Sequence, residues 1–259
     1  MTPRNSQNAA AVITRCFLLA AGLVFAGVPL SVHAEAQANA AEDDPWESFN
    51  RGMFWFNDQI DGYVLEPVAR GWDFAMPKDV QTWIDNFFDN VHAPIDTVNS
   101  LLQGKPRDAG VAFGRFLFNS TVGFAGFFDP AASELGLDEV REDFGQTLAV
   151  WGLGSGPYLV LPILGPSSPR DTAGLAGDAA MTAYTWFIPW SATYSSRGVD
   201  VVNTRSRLLQ QIEDSKKSSF DYYVFVRNAY LQYRRNLIQD KKAGESGFYD
   251  DLYDVVPGN

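Results

Sequence analysis

The sequence predicts a mainly α-helical single domain with little or no β structure. Apolar residues recur every three or four positions in several separate stretches, which is the period of a helix with one buried face. Only residues 158–163 have the character of a strand, and strands do not alternate with helices as an α/β sheet fold requires.

The composition excludes several classes of function. The 259-residue chain carries 31 acidic and 20 basic side chains and a formal charge of -11, so it is a poor match for a nucleic-acid backbone. A single cysteine excludes a disulfide framework and a thiolate zinc site. Aromatic residues make up 14% of the chain, a high share that either an aromatic core or a membrane interface would explain.

Residues 1–34 have the organisation of a secretory signal peptide. Arg4 and Arg15 supply the positive region, an apolar stretch begins at Cys16, and small residues precede a cleavage point after Ala34. A retained membrane anchor is the alternative, although the stretch is shorter than the roughly 20 residues that span a bilayer. We expect no lipid on Cys16, because a lipidated cysteine follows its apolar region and this one precedes it.

The rest of the chain divides into three predicted parts. Residues 35–43 are alanine-rich and polar, and they are expected to form a disordered linker. Residues 44–242 hold the apolar periodicity and are expected to form the helical domain. Residues 243–259 are acidic and are expected to form a solvated tail.

Amphipathic helices are predicted in order along this domain. The first runs from Trp46 to Ile60, and the second covers residues 80–88. Pro94 is expected to begin a separate helix that ends at Gly104, because proline is favoured in the first turn of a helix. The later predicted helices cover residues 107–121, 199–215 and 220–242.

Two long segments lack charge. Residues 144–169 are long enough to span a bilayer, but their glycines and prolines would leave backbone groups without hydrogen bonds in lipid. This segment is therefore expected to lie against other protein or at the membrane interface. Residues 179–196 hold a cluster of Trp, Tyr and Phe, which fits either a membrane-interface belt or an aromatic core.

Signals for catalysis and for metal binding are weak. His92 alone follows the signal peptide, and the glycines around Ser155 lack the spacing of a nucleophile elbow. We interpret His92 as a helix-end residue. The acidic residues at 138–143 lack the spacing of a calcium loop and are interpreted as a solvated turn. No catalytic, cofactor-binding or metal-binding residue is predicted.

One polar string lies within apolar sequence at residues 113–121. Arg115 and Asn119 are four residues apart and would share one face of a helix. One interpretation is an ion pair of Arg115 with Asp108 or Asp129 inside a core. The other is a polar lining that accepts a lipid headgroup, since a charge in apolar membrane surroundings usually faces a protein interior or a water-filled cavity.

The short sequence motifs of the predicted helical domain, taken together and in order, resemble those of the MlaA (VacJ) family of outer-membrane proteins. The resemblance covers most of residues 44–235. It is carried by DPWESFNR at 44–51, EPVA at 66–69, LLQG at 101–104, RFLFNSTVGFAG at 115–126, FGQTL at 144–148, GPY at 156–158, LP at 161–162 and RD at 170–171.

This resemblance implies a ring-shaped domain of amphipathic helices around a polar channel. It implies a protein on the periplasmic side of the outer membrane of a Gram-negative bacterium, which removes phospholipids misplaced in the outer leaflet and so maintains lipid asymmetry. The implied partners are phospholipid, a trimeric outer-membrane porin and a periplasmic lipid carrier, with no nucleic acid and no enzymatic activity.

Candidate residues follow from the polar string and from the resemblance. The lining or lipid-binding set is Arg115, Asn119, Ser120 and Thr121, and the close-packing set is Gly123 and Gly126. The set expected at the membrane rim is Trp46, Phe49, Phe54, Trp55, Trp186 and Trp190. Two alternative functions stay open at this point, a soluble periplasmic lipid-binding chaperone and a lipid hydrolase.

Overall fold

A computed structural model describes residues 44–182 and 189–240. The predicted signal peptide at 1–34, linker at 35–43 and acidic tail at 243–259 lie outside the described residues. The mainly α fold with little β structure is confirmed. The helices are α1 (Glu47–Ile60), α2 (Glu66–Ala75), α3 (Lys78–Leu102), α4 (Pro106–Thr121), α5 (Pro130–Ser133), α6 (Phe144–Val150), α7 (Pro169–Met181), α8 (Trp190–Arg207), α9 (Leu209–Ser218) and α10 (Tyr222–Ile238), and the strands are β1 (Leu159–Leu161) and β2 (Gly165–Ser167).

A π-helical turn over Asp61–Leu65 joins α1 directly to α2. Pro67 lies in the first turn of α2, where its ring would clash with the carbonyl four residues earlier in a regular helix. The wider turn relieves that clash, and the backbone N–H of Glu66 bonds to the carbonyl of Asp61 five residues back. Arg205 of α8 then binds the Asp61 carboxylate at 2.7 Å.

Helix α3 runs without a break through Pro94, so the prediction of two helices here is wrong. Proline cannot donate a backbone hydrogen bond, and it usually kinks or ends a helix. Here its neighbours Ala93 and Ile95 are buried, and α3 packs along much of its length against α4. This packing stabilises the continuous helix. The interpretation of His92 as a helix-end residue is wrong for the same reason, because His92 lies in the middle of α3.

The last third of the chain differs in its boundaries from the prediction. The helix expected at 199–215 is two helices, α8 and α9, which meet at Leu208. The last helix begins at Tyr222, where the Asp221 side chain accepts a hydrogen bond from the backbone N–H of Val224. That is a normal N-cap for a helix.

The strand expected at 158–163 is present as β1, paired antiparallel with a strand that the sequence did not indicate, β2. The free edge of β1 is bonded by two asparagines of α1. The Asn50 amide donates to the carbonyl of Tyr158 and accepts from the N–H of Val160, both at 2.9 Å. Asn57, two helical turns later, makes the same pair of bonds to Leu161 and Ile163. Helix α1 thereby takes the place of a third strand.

Arg234 of α10 ties three helices together. Its guanidinium donates to Asp143, which caps α6, at 3.1 Å and to Asp171 in the first turn of α7 at 3.0 Å. Helices α6 and α7 approach so closely that a Cβ atom added to Gly174 would lie 2.5 Å from the backbone nitrogen of Gly145. These contacts show why the uncharged segment 144–169 packs against protein.

The acidic residues at 138–143 do not form a solvated turn throughout. Asp143 is the helix cap just described, and Glu142 is buried beside Lys105, whose ammonium group lies 2.9 Å from its carboxylate. That interpretation is therefore wrong for these two residues. The order of charged residues in the sequence does not show which acidic side chains form ion pairs with basic side chains that are distant in the chain.

Large apolar side chains are exposed on several helices. Phe74 is 95% exposed and Trp55 is 64% exposed, which is unusual for groups of this size. Among residues 44–182 and 189–240, no helix is both long enough and apolar enough to cross a bilayer.

Candidate functional site

A polar cavity of about 110 Å³ lies between α3, α4 and residues on either side of α5. Volume of this kind holds several water molecules or a small polar group. Four of its lining residues are acidic and one is basic. The lining consists of Asn86, Asp89, Asn90, Ala93, Asp96, Ala112, Arg115, Asn119, Asp129, Glu139 and Val140.

Arg115 and Asn119 face this cavity from α4 and meet at one carboxylate. The Arg115 guanidinium lies 2.8 Å from Asp129, and the Asn119 amide donates to the same carboxylate at 2.9 Å. Of the two ion pairs that the sequence left open, the structure contains the one with Asp129. Partial burial raises the pKa of Asp129, but hydrogen bonds from Asn119 and Arg115 outweigh it and hold that pKa below its usual value.

Ser120 and Thr121 are placed differently from Arg115. The Ser120 hydroxyl accepts a hydrogen bond at 2.9 Å from the amide of Asn90. Asn90 lines the cavity, and Ser120 does not. Thr121 is exposed, and its hydroxyl donates to the carbonyl of Leu117 in its own helix at 2.7 Å. Within the predicted lining set, Arg115 and Asn119 line the cavity, Ser120 supports it and Thr121 points elsewhere.

Gly123 and Gly126 lie in the tight turn after α4, where there is no room for a side chain. A Cβ atom at Gly123 would lie 2.4 Å from the carbonyl oxygen of Phe128. At Gly126, where φ is +94°, it would lie 2.6 Å from the Asn90 side chain. The two glycines let this turn pack closely against the middle of α3, at Asn90.

Two acids of α3 that the sequence analysis did not select line the same cavity. Asp89 and Asp96 are seven residues apart, two helical turns, and share a face of α3. Burial raises the pKa of Asp96 to about 8, and the negative charge of Glu139 acts in the same direction. The spacing of these acids was visible in the sequence, but the predicted helix end at residue 88 and the predicted new helix at Pro94 separated them.

A second cavity of about 240 Å³ shares Asp89 with the first and lies between α3 and α8. It is also lined by Arg141 and Arg207. Near it on α3, the Nε2 atom of His92 lies 3.2 Å from the Arg197 guanidinium. Burial, followed by the charge of Arg197, lowers the pKa of His92, so the imidazole is neutral at pH 7.

Three of the predicted rim residues are exposed on or just before α1. Trp46, Phe49 and Trp55 leave 43%, 52% and 64% of their surface open. A tryptophan in this position presents an apolar ring with a polar N–H, as at a membrane–water boundary.

Of the other three predicted rim residues, Phe54 is not on this surface and the two tryptophan side chains lie outside the described residues. Phe54 packs inward, with its ring centroid 5.5 Å from those of Tyr222 and Tyr223 in edge-on contacts. Its position on α1 turns it towards α10, which explains the difference from its neighbour Trp55. Trp186 and the side chain of Trp190 lie outside the described residues.

The chemistry available in this site is hydrogen bonding and charge. Within the described part of the chain, no group of three or more His, Cys, Asp or Glu side chains is arranged to hold a metal ion. The cavity offers carboxylates, carboxamides and one guanidinium, which suit the recognition of a polar or charged group.

Comparison with known proteins gives consistent results. A family model described as MlaA lipoprotein matches residues 42–237. The chain is 37% identical to "Intermembrane phospholipid transport system lipoprotein MlaA" of Haemophilus influenzae, with 79% of this chain and 82% of that protein covered. It is 33% identical to the protein of the same name from Escherichia coli K12, with 82% and 87% covered.

A solved structure also matches. It comes from work on the structural basis for maintenance of bacterial outer membrane lipid asymmetry, and it superposes with a TM-score of 0.68 at 34% identity. The match covers 76% of this chain and all of that chain. Sequence, family model and fold agree, and the chain belongs to the MlaA lipoprotein family.

Proposed function

We propose that this protein is the outer-membrane component of an intermembrane phospholipid transport system. In this role it removes mislocalised phospholipids from the outer leaflet and passes them to a periplasmic carrier, which maintains lipid asymmetry. The names of the Haemophilus and Escherichia relatives support the transport role, and the solved structure supports the link to lipid asymmetry.

The observation that carries the proposal is the two-sided character of α4. Its inner face holds Arg115 and Asn119 at the polar cavity, while Phe113 and Leu117 are about half exposed on the same helix. Exposed apolar side chains of this size suit acyl chains, and a polar cavity suits a headgroup. An arrangement of this kind moves an amphipathic molecule without breaking a bond in it.

The partners and the location follow from the family resemblance. We expect association with a trimeric porin and contact with a periplasmic lipid carrier, on the periplasmic side of the outer membrane. The exposed rings of Trp46, Phe49 and Trp55 would rest at the membrane interface. A polar channel within a ring of helices, lined by Arg115 and Asn119, would be the path of the lipid.

Fractionation of cells, followed by purification from detergent, tests the proposal. We expect the protein to pellet with outer membrane and to carry both phospholipid and a porin, identified by mass. Protein that washes out with the periplasmic fraction would favour a soluble lipid chaperone instead. Release of fatty acid from labelled phospholipid by the purified protein would favour a hydrolase.

A further inference from the structure

The cavity between α3 and α4 holds more acidic than basic groups. Arg115 forms an ion pair with Asp129, as described above. Arg141 binds Glu139 at 2.7 Å and lies 3.9 Å from Asp89. These two arginines therefore leave an excess of negative charge along the α3 wall.

Asp96 is the least compensated of these acids. Its carboxylate accepts a hydrogen bond from the backbone N–H of Glu142 at 3.0 Å. Within residues 44–182 and 189–240, no basic side chain lies within ion-pair distance of it. A partly buried carboxylate without a cation is costly when it is ionised.

An independent feature of the same wall is an unused acceptor on Asn90. This side chain is 94% buried, since its exposed fraction is 6%, and it lines the cavity. Its amide nitrogen is held by Ser120, but its oxygen accepts no hydrogen bond from the described part of the chain. A buried amide oxygen without a donor needs a partner.

The chemistry of these groups selects one class of ligand. Ionised carboxylates and an amide oxygen only accept hydrogen bonds, so the ligand must donate several of them and carry positive charge. A primary ammonium group has three N–H donors and fits this requirement. A metal ion fits less well, because the acids are not grouped as metal ligands in the described residues.

We propose that this cavity binds the primary ammonium group of a zwitterionic phospholipid headgroup, with Asp96, Asp89 and the Asn90 oxygen as acceptors. The inference rests on the proposed transport function and adds a class of headgroup to it. Charged hydrogen bonds of this kind are about twice as strong as neutral ones. The site would therefore discriminate between headgroups rather than only admit them.

Titration of Asp96 gives the site a dependence on pH. Burial raises its pKa to about 8 although the hydrogen bond from the Glu142 backbone N–H opposes it; the charges of Glu139 and Glu142 act in the same direction as burial, and that of Arg141 acts against it. A bound ammonium favours the ionised carboxylate, so binding releases a proton and strengthens as the pH rises towards 8. Arg115, on the facing helix, is held by Asp129 and offsets little of this effect.

The test measures headgroup preference in the purified protein. Protein in detergent is equilibrated with vesicles holding equal amounts of phosphatidylethanolamine, phosphatidylglycerol and phosphatidylcholine, re-isolated, and its bound lipid is quantified by mass. We expect phosphatidylethanolamine to be enriched over both other lipids. Phosphatidylcholine serves as a second comparison because its quaternary ammonium has the charge but no N–H donor.

Two variants and a control identify the site. Asp96→Asn should lower the ratio of bound phosphatidylethanolamine to phosphatidylglycerol about tenfold, the effect of one charged hydrogen bond. Asp89→Asn, on an exposed part of the wall, should lower it in the same direction and keeps the test valid if the first variant unfolds. Glu134→Gln, an exposed acid outside the cavity, should leave it unchanged.

The outcomes separate this inference from the proposed function. If the wild type binds the three lipids equally and the ratio is the same in both Asp variants, the headgroup inference is overturned and the transport function stands. If the wild type retains no phospholipid at all, the proposed function fails as well. If free ethanolamine binds to the lipid-free protein as tightly as the lipid does, the ligand is a soluble amine and the lipid assignment is overturned.

Discussion

Replacement of Asn50 by alanine tests how α1 is attached to the β hairpin. Asn50 has no exposed surface, and its amide satisfies the Tyr158 carbonyl and the Val160 N–H at 2.9 Å each. Asn50→Ala leaves both backbone groups unsatisfied, because β1 has no strand on this side and Val160 is fully buried. A buried group without its partner costs about 1–3 kcal/mol, so we expect a loss of about 3 kcal/mol.

Thermal unfolding of the purified protein measures this loss. For a domain of this size 1 kcal/mol shifts Tm by roughly 2–4 °C, so Tm should fall by about 6–12 °C. Asn57→Ala is the matched control. It removes the same two kinds of bond, but the Ile163 N–H that it pairs is exposed and can bond to water. A Tm for Asn50→Ala equal to that of Asn57→Ala would refute the reasoning.

Three other perturbations have defined outcomes. Arg234→Met leaves Asp143 and Asp171 without their shared cation, and chemical denaturation should show a loss of about 3–5 kcal/mol. Asp96 has a folded-state pKa near 8, above its unfolded value, so its contribution to stability is greatest at low pH and is lost as the pH rises through 8. Denaturation from pH 5 to pH 9 should therefore show Asp96→Asn gaining stability relative to the wild type. Gly126→Ala combines a positive φ with a steric clash, and Tm should report a loss of about 1–3 kcal/mol.

Each of these has its own control. Gly136→Ala also has a positive φ but meets no atom within 4 Å, so a loss as large as that at Gly126 would mean that the clash contributes nothing. Arg70→Met removes exposed ion pairs with Glu66 and Glu213, which water screens, and should cost much less stability than Arg234→Met. Equal losses in the two variants would contradict the role given to the buried Arg234 contacts. A wild-type stability that changes with pH in parallel with Asp96→Asn would show that Asp96 does not titrate as described.

The sequence predicted the helical class and most of the helices, because an apolar face repeats at the helical period in each. It failed at Pro94, where the tertiary packing of α3 on α4 outweighs a local preference that any sequence rule must follow. It also missed β2, α5 and α6, since these short elements carry too little periodicity to be recognised, and it did not predict the longer helices α2 and α7.

The candidate site was predicted in part for a related reason. The spacing of Arg115 and Asn119 correctly indicated a shared helix face, because that depends on one helix alone. The opposite wall, with Asp89 and Asp96, depends on how α3 meets α4, which no local pattern reveals. Thr121 shows the converse, since it is close in sequence to Asn119 yet lies on another face of the helix.

The central claim is that the polar site on α4 handles phospholipid in the outer membrane. The most direct measurement is the amount of phospholipid in the outer leaflet of cells that lack the gene and carry it back as wild type, Arg115→Glu or Thr121→Val, at equal protein levels. The account predicts that wild type and Thr121→Val restore lipid asymmetry and that Arg115→Glu does not. Full restoration by Arg115→Glu would contradict it.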